Sequence, residues 1–143
     1  MATKSSVVMR RWFQEVWCDG RSATITELFP ADGIAHGLGP EPVTGPAAFL
    51  AFWTVFHATF TDIHISVESE VDEGPMTYVR CAARMKHRGR PVELRGGCQC
   101  RIEGGKIREC WDTWDFTGLL VAMGTLPPDV VARGFAGERA RFD

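Results

Sequence analysis

Residues 92–116 read VELRGGCQCRIEGGKIRECWDTWDF. Val92, Leu94, Cys98, Cys100 and Ile102 alternate with polar or small neighbours, the period-two pattern of a strand, and Lys106–Phe116 reads as a second strand returning after Glu103-Gly104-Gly105. Register is decisive here, because a slip of one residue exchanges the two faces of a strand. A three-residue Glu103–Gly105 loop with a left-handed glycine bulge puts Cys98, Cys100, Cys110, Asp112 and Trp114 on one side. A two-residue Gly104-Gly105 turn puts Glu109, Trp111 and Asp115 there instead.

Upstream of this hairpin the period is also two. Ile63, Ile65, Val67 and Val71 alternate with Asp62, His64, Ser66, Glu68 and Glu70, which specifies a half-buried strand from Asp62. Glu73-Gly74-Pro75 turns the chain into a strand over Met76–His87, and Gly89–Pro91 turns it again into Val92–Ile102. The first part of the chain has helical spacing instead. Val8, Trp12 and Val16 fall at helical steps with Met9, Phe13 and Trp17 beside them, an amphipathic helix over Val7–Cys18 that ends near Asp19-Gly20. A second helix over Ser22–Phe29 stops at Pro30, Gly33–Leu38 makes a short strand, and the Gly and Pro residues of GPEPVTG make a loop. Pro46 opens a third helix, AAFLAFWTVFHATF, apolar enough that most of its circumference is expected to be covered. Residues 127–143 read as a surface C-terminal tail.

Helices followed by antiparallel strands make an α+β domain, and no repeat or linker divides residues 1–143. A curved sheet with helices on one face leaves a cone-like cavity between the two layers, where a ligand would go. A chain of 143 residues buries roughly two-thirds of its unfolded surface, so a sizeable interior is available. Nine Phe and five Trp against one Tyr supply bulky apolar rings for it.

Sixteen Lys and Arg against eighteen Asp and Glu leave no basic field to attract nucleic acid or a membrane surface. The run Arg80, Arg84, Lys86, Arg88, Arg90, Arg95 and Arg101 faces an acidic strand bearing Glu68, Glu70, Asp72 and Glu73, which predicts cross-strand charge pairing. No apolar run reaches the ~18–20 residues of a membrane span, and MATKSSVVMRRWF lacks the apolar core of a secretory signal, so a cytoplasmic protein is expected. Five cysteines, an odd number without CxxC spacing, argue against a disulfide framework and a zinc knuckle and for free buried thiols. Cys98, Cys100, Cys110 and His36 would make a Cys₃His zinc set only if all converged, and residues two apart on one flat strand are awkwardly placed for that.

GGKIRECWDTWDFTGLL, with FQEVWCDG, ELFPADGIAHG and VTGPAAFLAFW upstream, resembles the SnoaL-like polyketide cyclases of the nuclear transport factor 2-like superfamily, which also holds ketosteroid isomerase. The likeness runs from about Val7 to Leu126. It implies an NTF2-like cone-shaped α+β barrel, with a curved mixed or antiparallel sheet and about three helices enclosing a pocket. It also implies a homodimer and chemistry without metal or organic cofactor. The family pattern favours the hairpin register that groups Asp112 with the cysteines. Where ketosteroid isomerases have their carboxylate base, oxyanion-binding Tyr and protonated Asp, this sequence matches His36, Phe13 and Cys98, so steroid isomerisation is not expected. The acid/base Asp on the final strand of the cyclases matches Asp112, while a neighbouring cyclase His corresponds to Cys98.

A carboxylate among thiols and rings has its charged form disfavoured, so its pKa rises toward the range useful for proton transfer near neutrality. Asp112 is therefore the expected general acid/base. His36 is the expected second base or hydrogen-bond donor, since an imidazole titrates near neutrality. Trp12, Phe13, Trp17, Phe52, Phe56, Cys98, Cys100, Cys110, Trp114 and Phe116 are expected to line the pocket around a hydrophobic or polycyclic small molecule. His57 reads as a packing residue, and His64 and His87 as exposed ones. Three functions fit: a cyclase acting by intramolecular aldol condensation, a non-catalytic small-molecule binder, and a hydrolase or dehydratase on the same scaffold.

Overall fold

The structure, a computed structural model, describes residues 4–141. In chain order the elements are α1 (Ser5–Trp12), continued by a π-helical turn (Phe13–Cys18), α2 (Ala23–Leu28), β1 (Ile34–His36), β2 (Val43–Thr44), α3 (Gly45–Thr59), β3 (Thr61–Glu73), β4 (Met76–His87), β5 (Arg90–Glu103), β6 (Lys106–Trp114), α4 (Phe116–Ala122) and α5 (Val130–Phe135). The six strands form one sheet in the order β2-β1-β6-β5-β4-β3, antiparallel throughout except for β1 beside β6. The apolar stripe of α1 and the π-turn, with Ile25, Leu28 and Phe29, packs on Val79, Ala83, Leu94 and Cys98 of the sheet. The result is the α+β architecture that the alternation of periods predicts.

The β5–β6 hairpin combines the two registers read from the sequence. Glu103 pairs with Lys106 across a two-residue Gly104-Gly105 turn in which both glycines have positive φ, 59° and 72°. Ile102 then opposes Ile107 while Arg101 opposes Glu109, so Arg108 is an extra residue that shifts the ladder by one. Beyond this bulge Cys98 opposes Asp112 and Gly96 opposes Trp114. The turn is the shorter one, and the faces are those of the longer one.

Several other expectations are corrected. A second bulge, at Glu68 of β3, turns Val71 out to 68% exposure and brings Glu70 and Asp72 toward α1. There Arg10 meets Glu70 at 2.6 Å, and the Ser6 N–H donates to Asp72 at 2.8 Å. Arg80, Arg95 and Lys86 do pair with β3, through Glu68 and Asp62. The β4–β5 turn is Arg88-Gly89, and Pro91 belongs to the strand, where β5 has outrun β6 and no ladder needs its N–H. The strand β6 ends at Trp114. Asp115 then caps α4 by accepting the Gly118 N–H at 2.8 Å, so Phe116 opens a helix instead of closing a strand. The tail carries the short helix α5, and residues 142–143 lie outside the described residues. Finally, α3 is less covered than its composition suggests. Only Gly45 and Phe49 are buried, and Leu50 and Val55 are exposed.

Candidate active site

Between the helices and the inner sheet face lies a narrow cavity: about 640 Å³ of empty space when the solvent in its open mouth is included, of which about 50 Å³ is free to the centre of a water-sized molecule. Its walls are apolar. Met9, Trp12, Phe13 and Trp17 come from α1 and the π-turn, Phe49, Phe52 and Phe56 from α3, and Leu94, Cys98 and Cys110 from the sheet. Asp112 is the one ionisable carboxyl on this wall. Burial, opposed by the Trp114 hydrogen bond and by His36, pushes its pKa up to about 6.

The position of Asp112 is fixed by its neighbours along the chain and across it. The Trp114 indole Nε1–H donates to Asp112 Oδ1 at 2.9 Å, and the indole is held edge-on by Phe13 at a centroid distance of 6.2 Å. Gly96 makes room for that indole, since a Cβ there would come within 2.9 Å of the ring and 2.3 Å of the Thr113 carbonyl oxygen. Gly37, at φ +88°, lies so close to the Asp112 carbonyl oxygen that a Cβ would sit 2.0 Å from it. Only a glycine fits both the conformation and the space.

The π-turn aligns the rings of the opposite wall. Widening to i→i+5 spacing bonds the Asp19 N–H to the Gln14 carbonyl at 2.8 Å, and the Trp53 indole takes up the Val16 carbonyl at 2.9 Å. Trp17 thereby packs edge-on against Phe56 at 5.1 Å, and Trp12 against Phe49 at 4.9 Å. Cys18 ties the turn to β3 through both the N–H and the carbonyl of Ile65.

Nine of the ten residues expected on the wall are there, and the exception is Cys100. Cys100 is fully buried behind the wall and is joined by a disulfide to Cys110, directly opposite it on β6 with a Cα–Cα distance of 4.2 Å. This corrects the expectation of five free thiols: the pair can be seen only once the register is known. Among the described residues Cys18, Cys81 and Cys98 remain free. Burial and the nearby Asp112 carboxylate push the Cys98 thiol well above its usual range, and burial pushes Cys81 up to about 12, so neither is poised as a nucleophile.

His36 is not on the wall. Its neighbour Ala35 pairs with Cys110 and faces the cavity, whereas His36 pairs with Trp111 and faces outward. There its Nε2 lies 2.7 Å from Glu109 Oε2, and its ring stacks on Trp111 at 5.8 Å. Asp112 therefore has no histidine beside it in the cavity. His57 is a packing residue: its ring stacks against Trp17 at 5.6 Å, and its Nδ1–H donates to the Trp53 carbonyl at 3.0 Å. Among the wall residues that the sequence reading does not single out as lining are Phe29, Leu38 and Phe49. Phe49 was within reach, three residues before Phe52 and seven before Phe56 on one helix face. Leu38 comes from a loop, where no periodicity marks it. No group of three or more His, Cys, Asp or Glu placed to hold a metal ion occurs among the described residues.

The model of the SnoaL-like polyketide cyclase family matches residues 7–123. No curated protein sequence matches the chain. Among solved structures it is similar to wild-type IdmH of Streptomyces antibioticus, described as a candidate polyketide cyclase, at 25% identity and a TM-score of 0.76 over 85% of this chain and 99% of that one. AclR of Streptomyces galilaeus, described as a candidate hydroxylase, matches at 20% identity and a TM-score of 0.76 over 91% and 92%. A protein from Catenulispora acidiphila described as having a ketosteroid isomerase-like fold matches at 20% identity and a TM-score of 0.73 over 85% and 95%, which shows the shared fold.

Proposed function

The chain belongs to the SnoaL-like polyketide cyclase family, and on that premise we propose that it is a cofactor-independent enzyme that closes a ring in a polyketide-type substrate by intramolecular aldol condensation, with Asp112 as general acid/base. The observation that carries this reading is a single carboxyl group on the wall of an aromatic cavity, where burial raises its pKa above the ordinary carboxylate value. In its charged form Asp112 takes the proton from a carbon between two carbonyls, leaving an enolate delocalised over the substrate's own conjugation. That carbon attacks a second carbonyl of the same molecule, a C–C bond forms, and the resulting alkoxide receives the proton back from Asp112. No atom is lost. The rings fold the substrate into a reactive conformer and exclude water.

A binder without turnover is the rival reading. It is favoured by the lack of a second carboxyl group, a histidine or a lysine beside Asp112 on the wall. A thermal-shift panel of polycyclic aromatic esters, steroids, terpene epoxides and fatty acids on wild type and Asp112→Asn separates the two. A ligand at 100 times its Kd adds about 2.7 kcal/mol, a shift of several degrees for a domain of this size. A class that binds both proteins and is converted only by the wild type supports the cyclase. Binding without turnover in either protein leaves the binder, and water incorporated from labelled solvent points to a hydrolase. Nine-tenths retention of turnover in Asp112→Asn would refute the assignment of the acid/base.

No described helix is long and apolar enough to cross a membrane. We propose a cytoplasmic homodimer. The dimer would use the outer sheet face, where Val71, Tyr78, Gln99 and Trp111 form one cross-strand row with Tyr78 and Trp111 about two-fifths exposed. Sedimentation at micromolar concentration should give twice the monomer mass, and Trp111→Arg should halve it.

A further inference from the structure

The two oxygens of Asp112 are not equivalent. Oδ1 accepts the Trp114 indole N–H at 2.9 Å. Oδ2 accepts no hydrogen bond from the described residues, yet it is not sealed off: the only buried side-chain polar atoms without a partner among them are His57 Nε2 and Thr77 Oγ1. One oxygen is thus occupied by a donor that has no other proton to offer and cannot accept one, while the other is open beside the cavity.

Resting on the reading of Asp112 as the acid/base, we propose that Trp114 is a positioning residue that divides the labour between these oxygens: it holds Oδ1 as a permanent acceptor, so that the proton taken from the substrate and returned to it rides on Oδ2. The same oxygen then serves as base in the first step and acid in the second, without rotation of the carboxyl group between them. The indole is itself restrained. Phe13 packs edge-on against it, and the missing side chain of Gly96 gives it space across the hairpin. A side chain two residues along the same strand is a stiff support, because both project from one face at a fixed spacing.

The other groups that act on Asp112 are few. Cys98 faces it from β5, Cys81 from β4, and His36 lies behind it on β1. α1, the π-turn and α3 present only apolar and aromatic side chains to the cavity. Removal of the indole donor therefore has no evident substitute.

The experiment replaces Trp114 with 3-benzothienylalanine, which keeps the shape of the indole and exchanges the N–H for sulfur, and with Phe as a second variant. The Asp112 carboxyl carbon is titrated by NMR in each protein, without substrate. A hydrogen bond to the charged form favours that form, so its loss should raise the midpoint by about one pH unit in the isosteric variant. In the wild type the Trp114 indole N–H resonance should move with the same midpoint as Asp112. A midpoint that stays or falls in the benzothienyl variant overturns the proposal, as does an indole resonance that ignores the titration. A packing role alone would leave the isosteric variant unchanged. Because the titration needs no substrate, its failure is distinct from failure of the cyclase reading, which shows as turnover unaffected by Asp112→Asn and would remove the proton shuttle along with it.

Discussion

Strand β6 carries two carboxylates three residues apart, and its two faces treat them differently. Glu109 faces outward, where His36 lies at 2.7 Å and Arg101 at 3.7 Å, with solvent around all three. Asp112 faces inward among rings and sulfurs, with one neutral donor on one oxygen. The same chemical group is a surface ion-pair partner on one side of the sheet and a carboxyl held near neutrality on the other. Environment assigns the role, and the Arg108 bulge decides which carboxylate receives which environment.

The largest test of this contrast is catalytic. Asp112→Asn should lower turnover of a substrate about a thousandfold while leaving ligand affinity within about tenfold, whereas Glu109→Gln should change turnover less than about threefold. Next comes the backbone that seats the strand. Gly37→Ala should cost about 3 kcal/mol in denaturant unfolding, because it combines a positive φ with a collision against the Asp112 carbonyl. Gly20→Ala, at φ +66° with nothing within 4 Å of the new Cβ, should cost only about 1 kcal/mol.

Asp112→Asn should also stabilise the protein. The folded pKa of about 6 lies above the ordinary 3.8, so between those values the native state holds a proton that the unfolded state has lost. Wild-type stability therefore falls as pH rises through that window and stays reduced above it. The variant escapes this loss, gaining about 2 kcal/mol at pH 7.5, a figure discounted for partial exposure, and nothing at pH 3.5. Equal slopes of stability against pH in the two proteins would contradict the buried carboxyl. The smallest effect is expected on the outer face, where His36→Ala should cost less than about 1 kcal/mol and leave any turnover intact.

Much of this contrast can be read from the chain itself, and the parts that cannot share one cause. Alternation of Val92, Leu94, Cys98 and Cys100, and helical spacing of Trp12, Phe13, Val16 and Trp17, specify the layers and most of the cavity wall, because burial imposes a period on local sequence. Bulges break that period without leaving a mark in composition. Arg108 and Glu68 look like ordinary surface residues, yet each shifts every later side chain on its strand. The Cys100–Cys110 pairing depends on that register and so was hidden with it. His36 was misplaced for a related reason. A three-residue strand is too short to display a period, and its facing is set by the parallel pairing of Ala35 with Cys110. The start of α4 did carry a local signal, an Asp three residues before the Gly whose N–H it caps, but Phe116 also suited a continuing strand.

The central claim is that Asp112 is the carboxyl group kept near neutrality inside the cavity, and its own titration tests it most directly. With side-chain carboxyl carbons labelled, the resonance missing from Asp112→Asn identifies Asp112 in the wild type. A midpoint near 6 is the result this account predicts. A midpoint near 4, as for an ordinary solvated carboxylate, would place Asp112 in water and contradict it.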